Sequence, residues 1–181
     1  MKITRFTIIA ASSLALATAA FAEEAKPKLA SGDENFAKKA ALGGMAEVKL
    51  GELAKDKGST PEVKEFGSQM ATDHGKANDE LKGIASSKGI DLPADLDAKN
   101  KAVYEKLSKL SGAAFDKAYV HDMVRDHKED AAEFEQASKS LSDPDLKGFA
   151  EKTLTVVKTH LEHAEKISEA VSHEKMTHEK K

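Results

Sequence analysis

Apolar residues recur at alternating spacings of three and four positions along most of this chain, a period that belongs to α-helices packed on one another. Aromatic residues make up only 5% of the chain and Trp is absent, which suits a helical core better than a β-sandwich. Four of the apolar stripes are long: Phe36, Ala40, Gly43, Glu47, Leu50 and Ala54; Val63, Phe66, Met70, His74, Ala77, Leu81 and Ile84; Phe115, Tyr119, Met123, His127, Phe134 and Leu141; and Leu146, Ala150, Leu154, Val157, Leu161, Ala164 and Val171.

Glycine and proline mark where these helices begin and end. The first helix runs from near Asp33 to Gly58, and Pro61 starts a second that ends at Gly89. A short helix lies within residues 89–111, a long one follows to about residue 141, and Pro144 starts the last. Within the first stripe, a Gly pair at 43–44 predicts close helix packing rather than a phosphate-binding loop.

The lengths of the connections predict how the helices are arranged. Short links join the first pair and the last pair, which makes each pair an antiparallel hairpin. The segment between the pairs can travel roughly 40 Å, the length of one long helix. The predicted fold is therefore all-α: a four-helix bundle of two antiparallel hairpins, joined by a long crossover that contains a short helix.

The two ends of the chain differ from its middle. Lys2 and Arg5 precede an apolar run, and Ala20-Phe21-Ala22 is typical of a cleavage site, so residues 1–22 are predicted to be a signal peptide cleaved after Ala22. We expect export to a bacterial periplasm, with no later transmembrane segment. Residues 23–32 are predicted to be a flexible leader, 33–172 the bundle domain, and 173–181 a disordered tail.

Composition also limits the function classes. The net charge is −3, and Lys alternates with Asp and Glu along the helix faces, which gives no support for nucleic-acid binding. Cys is absent, so a zinc site of the thiolate type is excluded and nucleophilic catalysis has little support. An oxidase or catalase-like enzyme would need open coordination positions that a sequence does not show. A binding protein is favoured over an enzyme.

One motif occurs twice in the sequence, and this repetition indicates a functional site. Residues 66–81 carry Met, Asp-His, Glu and a large apolar residue at the same offsets as residues 119–134. A shared apolar pattern alone would not repeat Asp-His. The matching residues are Met70, Asp73, His74, Glu80 and Leu81 in one copy and Met123, Asp126, His127, Glu133 and Phe134 in the other.

Four polar residues, one from each long helix, are predicted to meet inside the bundle. Glu47, His74, His127 and His160 each lie about 20 to 24 Å into their helix, at about 1.5 Å rise per residue. Polar groups in a core are costly unless they satisfy one another or hold an ion. A carboxylate and three imidazoles suit copper, zinc or iron, so these four are the predicted metal ligands.

Other residues beside these four were assigned supporting roles. Asp73, Asp126 and Asp130 flank the stripes and are predicted to orient the imidazoles. Met70 and Met123, each one turn before a His, offer thioether ligands, which would favour copper.

A structural interpretation remains open beside the metal site. The buried His and Glu side chains could pair with each other in a polar layer that only fixes the packing of the helices. The protein would then be a non-catalytic structural or interaction protein of the envelope, with an unknown protein partner.

Several short motifs, in order, resemble an exported bacterial family known as domain of unknown function 4142. They are residues 36–51, Val63-Lys-Glu-Phe-Gly67, Met70-x-x-Asp-His74, Leu110-Ser-Gly112, Phe115-Asp-x-Ala-Tyr119, Met123-x-x-Asp-His127 and Asp143-Pro-Asp-Leu-Lys147. The resemblance spans about residues 33 to 170, and it implies a ferritin-like bundle in the periplasm or envelope.

The chain departs from ferritin-like di-iron proteins, which carry Glu-x-x-His on two helices. Ala71, Val124 and Val157 stand where that motif would place Glu. A mononuclear or copper-like site is therefore expected rather than ferritin-type iron oxidation. The resulting hypothesis is an exported metal-binding bundle that serves metal handling or envelope stress protection.

Overall fold

The computed structural model describes residues 29–178, with side chains described for residues 29–172. Five helices follow one another: α1 (Ser31–Lys57), α2 (Pro61–Lys88), α3 (Ala98–Ser108), α4 (Gly112–Ser140) and α5 (Pro144–His178). No strand occurs in this part of the chain, and the predicted all-α fold is confirmed. Among the same residues, no helix has the length and apolar character needed to cross a membrane.

The predicted ends of the chain are only partly covered. The signal peptide predicted at residues 1–22 and residues 23–28 of the predicted leader lie outside the described residues. α1 begins at Ser31, within that leader, because the Ala30 carbonyl accepts hydrogen bonds from the backbone N–H groups of Asp33 and Glu34. α5 continues through residues 173–178 of the predicted tail, and residues 179–181 lie outside the described part.

Local sequence explains where the other helices begin and end. The Thr60 side chain accepts a hydrogen bond from the Val63 N–H at 3.3 Å, and Pro61 follows at the first helical position. Asp97 caps α3 in the same way, accepting from the Asn100 N–H at 2.8 Å. α2 stops at Gly89, whose φ of 69° is left-handed and suits glycine.

Two apolar clusters fill the two ends of the bundle and give the direction of each helix. The first cluster joins the end of α1, the beginnings of α2 and α4, and the distal part of α5, while the second joins the opposite parts. α2 and α4 therefore run in the same direction, which confirms the predicted crossover. The first cluster is Leu50, Ala54, Val63, Phe66, Met70, Leu107, Phe115, Tyr119, Val120, Met123, Ala164 and Ile167; the second is Phe36, Ala37, Ala41, Leu81, Ala85, Ile90, Phe134, Ala137, Leu146, Phe149 and Ala150.

Two buried aspartates connect the hairpins at opposite ends of the bundle. Asp116 at the start of α4 accepts hydrogen bonds from the backbone N–H groups of Ser59 and Thr60, at 2.9 and 3.1 Å, in the α1–α2 turn. Asp33 at the start of α1 accepts from the N–H groups of Ser142 and Asp143, at 3.1 and 2.8 Å, in the α4–α5 turn. Each carboxylate thus provides hydrogen-bond acceptors for the backbone N–H groups in the turn of the other hairpin.

α1 and α2 approach most closely at a pair of glycines. A Cβ added to Gly51 would lie 2.6 Å from the carbonyl oxygen of Gly67, and one added to Gly67 would lie 2.7 Å from that of Gly51. The predicted pair behaves differently: a Cβ at Gly43 would meet nothing within 4 Å, and one at Gly44 would meet only the Asn78 side chain. The close packing is therefore about two turns further along α1 than expected.

This geometry predicts opposite effects for two substitutions on α1. Gly51→Ala forces the backbones of α1 and α2 apart, so we expect the free energy of unfolding to fall by about 1 to 3 kcal/mol in urea denaturation. Gly43→Ala has room for its methyl group and a better helix former, so its free energy of unfolding should rise by up to about 1 kcal/mol. Equal effects of the two substitutions would contradict the close contact at Gly51.

Candidate metal centre

A layer of polar side chains separates the two apolar clusters. It contains Glu47 from α1, His74 from α2, His127 from α4 and His160 from α5, with exposed fractions of 1%, 5%, 0% and 0%. Each of these residues lies in the gap between the two clusters along its own helix. The four residues predicted from the sequence are therefore all buried within one layer.

The three imidazoles form a compact triangle. Their ring centroids are 5.2 Å apart for His74 and His160, and 5.7 Å apart for each of the other two pairs. One nitrogen of each ring lies within 4.8 Å of a nitrogen of the other two. Metal–nitrogen bonds of about 2.0 to 2.1 Å come within reach after a modest change of rotamer.

The hydrogen bonds of two rings fix which nitrogen carries the proton. His127 Nδ1 lies 3.0 Å from the Met123 carbonyl oxygen, which can only accept, so Nδ1–H is the donor. His160 Nε2 likewise donates to Asp73 Oδ2 at 3.2 Å. In the neutral rings, His127 Nε2 and His160 Nδ1 then carry lone pairs. Both atoms are buried with no hydrogen-bond partner among the described residues, and so is His74 Nε2.

Burial also keeps these rings neutral. Loss of solvent lowers the pKa of His127 from 6.5 to about 4, and the nearby His160 adds to this effect. The pKa of His74 falls well below its ordinary value for the same reason, with His127 and His160 contributing. The pKa of His160 is lowered by burial, an effect that the Asp73 carboxylate opposes. Neutral imidazole is the form that binds metals.

Glu47 does not join the histidine triangle, although it touches it. Its Oε1 lies 3.9 Å from His127 Nδ1, but its carboxylate groups with those of Asp126 and Asp130, with one oxygen of each within 4.8 Å of the others. Burial raises the pKa of Glu47 well above its ordinary value, and the adjacent Asp126 raises it further. The predicted set of four ligands is thus divided: its three histidines form the triangle, and Glu47 joins Asp126 and Asp130 in a separate group of carboxylates beside it.

The predicted supporting residues have different positions. Asp73 orients His160 from α2, as a carboxylate beside a metal-binding imidazole does. Asp126 and Asp130 instead form the carboxylate group with Glu47, and His127 is oriented by the backbone of its own helix. The Met70 and Met123 side chains are fully buried in the first apolar cluster.

Some polar contacts of this region had no clear signal in the sequence. Tyr119 lies on the predicted apolar face, yet its hydroxyl is buried with no hydrogen-bond partner in the described region. His163 sits over the Phe66 ring and shares a hydrogen bond with the Gln69 side chain at 3.3 Å, so it stands outside the triangle. His121 is exposed.

A cleft between α1 and α4 reaches the polar layer from the surface. Its volume is about 820 Å³, and its lining includes His74, Asp126 and Asp130. The cleft lies between the two hairpins, because α1 packs mainly on α2 and α4 mainly on α5. The cleft therefore brings solvent to Asp126 and Asp130 and to one of the three imidazoles, that of His74.

A family model described as a domain of unknown function (DUF4142) matches residues 18–167. The chain belongs to this family. No match was found among curated proteins.

Two solved structures resemble this DUF4142 member in fold. One is a DUF305 fragment from Deinococcus radiodurans, with a TM-score of 0.71 and 10% identity over 80% of this chain and 99% of that chain. The other is CopM in the Cu(I)-bound form, with a TM-score of 0.62 and 12% identity over 74% of this chain and 93% of that chain. At such identities the likeness shows the helical-bundle fold alone.

The lowered pKa of His127 predicts a pH dependence of stability for the metal-free protein. Between about pH 4 and 6.5, His127 binds a proton in the unfolded chain but not in the folded chain. The contribution of the neutral ring to the free energy of unfolding is therefore complete above pH 6.5 and is lost as the pH falls toward 4. Relative to His127→Gln, the wild type should lose about 2 kcal/mol of unfolding free energy between pH 7.5 and 5.

The measurement is urea denaturation in the presence of a chelator at both pH values. The comparison with His127→Gln cancels the contributions of the other titrating groups. His121→Gln, at an exposed site on the same helix, should leave the pH dependence of the wild type unchanged. If the free energy of unfolding changed with pH by the same amount in the wild type and in His127→Gln, this would contradict the buried, neutral state of the ring.

Proposed function

We propose that this protein binds one transition-metal ion, copper or zinc, between His74, His127 and His160 in the core of the bundle. One observation carries the proposal: each ring places a nitrogen in the buried layer with no hydrogen-bond partner among the described residues. In the neutral rings of His127 and His160 this nitrogen is the one with the lone pair. Three convergent imidazole nitrogens are a donor set that both metals accept.

The alternative, a polar layer that only fixes helix packing, predicts a different pattern of contacts. In such a layer the buried groups satisfy one another, because each unpaired buried polar group costs about 1 to 3 kcal/mol. Here three ring nitrogens and both Glu47 oxygens have no hydrogen-bond partner in the described part of the chain. Bound cations would offset that cost, whereas helix packing alone would not.

Copper and zinc are favoured over iron by the type of donor. Non-haem iron sites combine two histidines with a carboxylate, and Glu47 does not join the histidine triangle. The likeness in fold to CopM, solved in its Cu(I)-bound form, is consistent with copper.

The proposed role is metal handling, or protection against metal stress, in the bacterial envelope. Support comes from the predicted signal peptide at residues 1–22 and from a site built without Cys, whose thiols would be oxidised in that compartment. Binding requires no catalytic step, since the residues of this chain only hold and orient the ion.

Metal titration of untagged protein tests the site. Wild-type protein is expected to bind about one Cu(I) or Zn²⁺ per chain at the triangle, measured by competition with a chromophoric chelator and by elemental analysis. His74→Ala and His160→Ala should each reduce this to near zero, because two remaining nitrogens hold the ion poorly. The exposed His121→Ala is the matched control and should bind as the wild type does.

A further pair of variants tests the orientation of His160. Asp73→Asn should weaken metal binding about tenfold to a hundredfold by removing the carboxylate that holds the ring. Asp79→Asn, at an exposed position of the same helix, should not change it. Unchanged binding in both histidine variants, together with an unchanged melting temperature, would favour the structural interpretation.

Export is tested separately, by expressing the full chain in a bacterium with a periplasm. We expect the mature protein in the periplasmic fraction with Glu23 as its N-terminal residue, determined by intact mass and N-terminal sequencing. Replacing Lys2 and Arg5 by Glu should retain the protein in the cytoplasm, because the positive charge at the start of the segment is lost. Protein that keeps Met1 and stays in the cytoplasm would contradict export.

A further inference from the structure

Beside the histidine triangle, three carboxylates from two helices converge. Glu47 extends from α1 toward Asp126 and Asp130 of α4, and one oxygen of each lies within 4.8 Å of the other two. This carboxylate group contains no histidine. It is therefore chemically distinct from the triangle, with which it shares only the 3.9 Å approach of Glu47 to His127.

The Glu47 side chain itself indicates that something binds there. It is 1% exposed, and neither of its oxygens accepts a hydrogen bond from a donor among residues 29–172. The side chain that meets it is another carboxyl group, that of Asp126, which can bond to it only through a retained proton. A buried carboxylate with no partner is costly unless it is protonated or meets a cation. The Tyr119 hydroxyl is also buried and unpartnered, and it lies near enough to Glu47 that this carboxylate adds to the rise in the pKa of Tyr119 that burial causes.

Among the described residues, no Lys or Arg forms an ion pair with the group, although the Lys39 charge acts on Asp130 from a greater distance. The basic side chains closest along the same helices pair elsewhere: Lys39 with Glu133 at 2.5 Å, Arg125 with Asp122, and Lys128 with Glu165 at 2.8 Å. The cleft between α1 and α4 exposes Asp126 and Asp130 to solvent along one edge, and Glu129 and Glu133 also line it. A cation can therefore reach the carboxylates without any movement of the helices.

We propose that Glu47, Asp126 and Asp130 form a second cation site, which takes a hard divalent ion such as Mn²⁺. Oxygen donors alone select hard ions, whereas the imidazole triangle selects copper or zinc. α1 supplies Glu47 from the buried side, α4 supplies the two aspartates, and the cleft that Asp126 and Asp130 line leaves room for water in the remaining coordination positions. The site goes beyond the proposed function, since it uses none of the three histidines.

The protonation of the group agrees with such a site. Burial raises the pKa of Asp130 to about 7, and the neighbouring Asp126 and Glu133 raise it further. Burial also raises the pKa of Glu47 well above its ordinary value. Without a cation, Glu47 and Asp130 reduce the mutual repulsion of the group by retaining protons. A divalent cation replaces those protons, so binding should release acid.

Mn²⁺ titration of the metal-free protein, followed by the EPR signal of free Mn²⁺, tests this site. Wild-type protein is expected to bind about one Mn²⁺ per chain at the carboxylates. Asp130→Asn should weaken binding at least about tenfold because it removes one charged donor, and Asp126→Asn is the second variant if the first does not fold. Glu129→Gln, one residue away on the same cleft, is the matched control and should stay within about twofold of the wild type.

The double variant His74→Ala/His160→Ala separates the two sites. It should lose Cu(I) and Zn²⁺ but keep Mn²⁺ binding within about threefold of the wild type, because it changes no oxygen donor. The second site would be overturned if the wild type took up no Mn²⁺. It would also be overturned if Asp130→Asn and Glu129→Gln lost Mn²⁺ affinity equally, or if the histidine double variant no longer bound Mn²⁺. If Mn²⁺ binds but Cu(I) and Zn²⁺ do not, the second site stands and the proposed histidine site fails.

Discussion

The cost of burying ionisable groups in the middle of a helical core is the constraint on which this structure depends. Glu47 and the three histidines interrupt the apolar stripes at one level, so the core forms two clusters rather than one. The destabilisation must be offset elsewhere. The aromatic and aliphatic packing of each cluster, the glycine contact between α1 and α2, and the aspartates that join each helix start to the opposite turn supply that stability.

Desolvation has opposite effects on the two kinds of group in this layer. It removes the proton from the histidines and keeps one on the acids, so that His127 and Glu47, although 3.9 Å apart, do not form an ion pair. Nitrogen lone pairs thus lie on one side of the layer, and the carboxyl groups of Glu47 and Asp130, whose pKa values burial raises, lie on the other. The same burial prepares one set of donors for a soft or borderline ion and the other for a hard ion.

Much of this fold follows from the sequence, because the period of the apolar residues gives the helices and the connection lengths give the hairpins and the crossover. The depth of Glu47, His74, His127 and His160 could be counted along each helix, so their burial in one layer was predictable. Their division into two groups was not, since a helical wheel gives angle and height but not which helices become neighbours. α1 lies beside α4, which places Glu47 opposite Asp126 and Asp130 rather than among the histidines. The glycine contact at Gly51 and Gly67 was missed for the same reason.

The arrangement of the hairpins also explains how a buried layer can exchange ions with solvent. Glycine lets α1 and α2 pack closely, and α4 packs equally extensively on α5, so each hairpin is closed along its own length. The cleft opens between the hairpins, where α1 faces α4, and its acidic lining attracts cations toward His74. Structures that share the bundle at 10% and 12% identity show that very different sequences form this fold. The polar residues that interrupt the apolar stripes are not needed to form a helical bundle, and we attribute their presence to the ions proposed above.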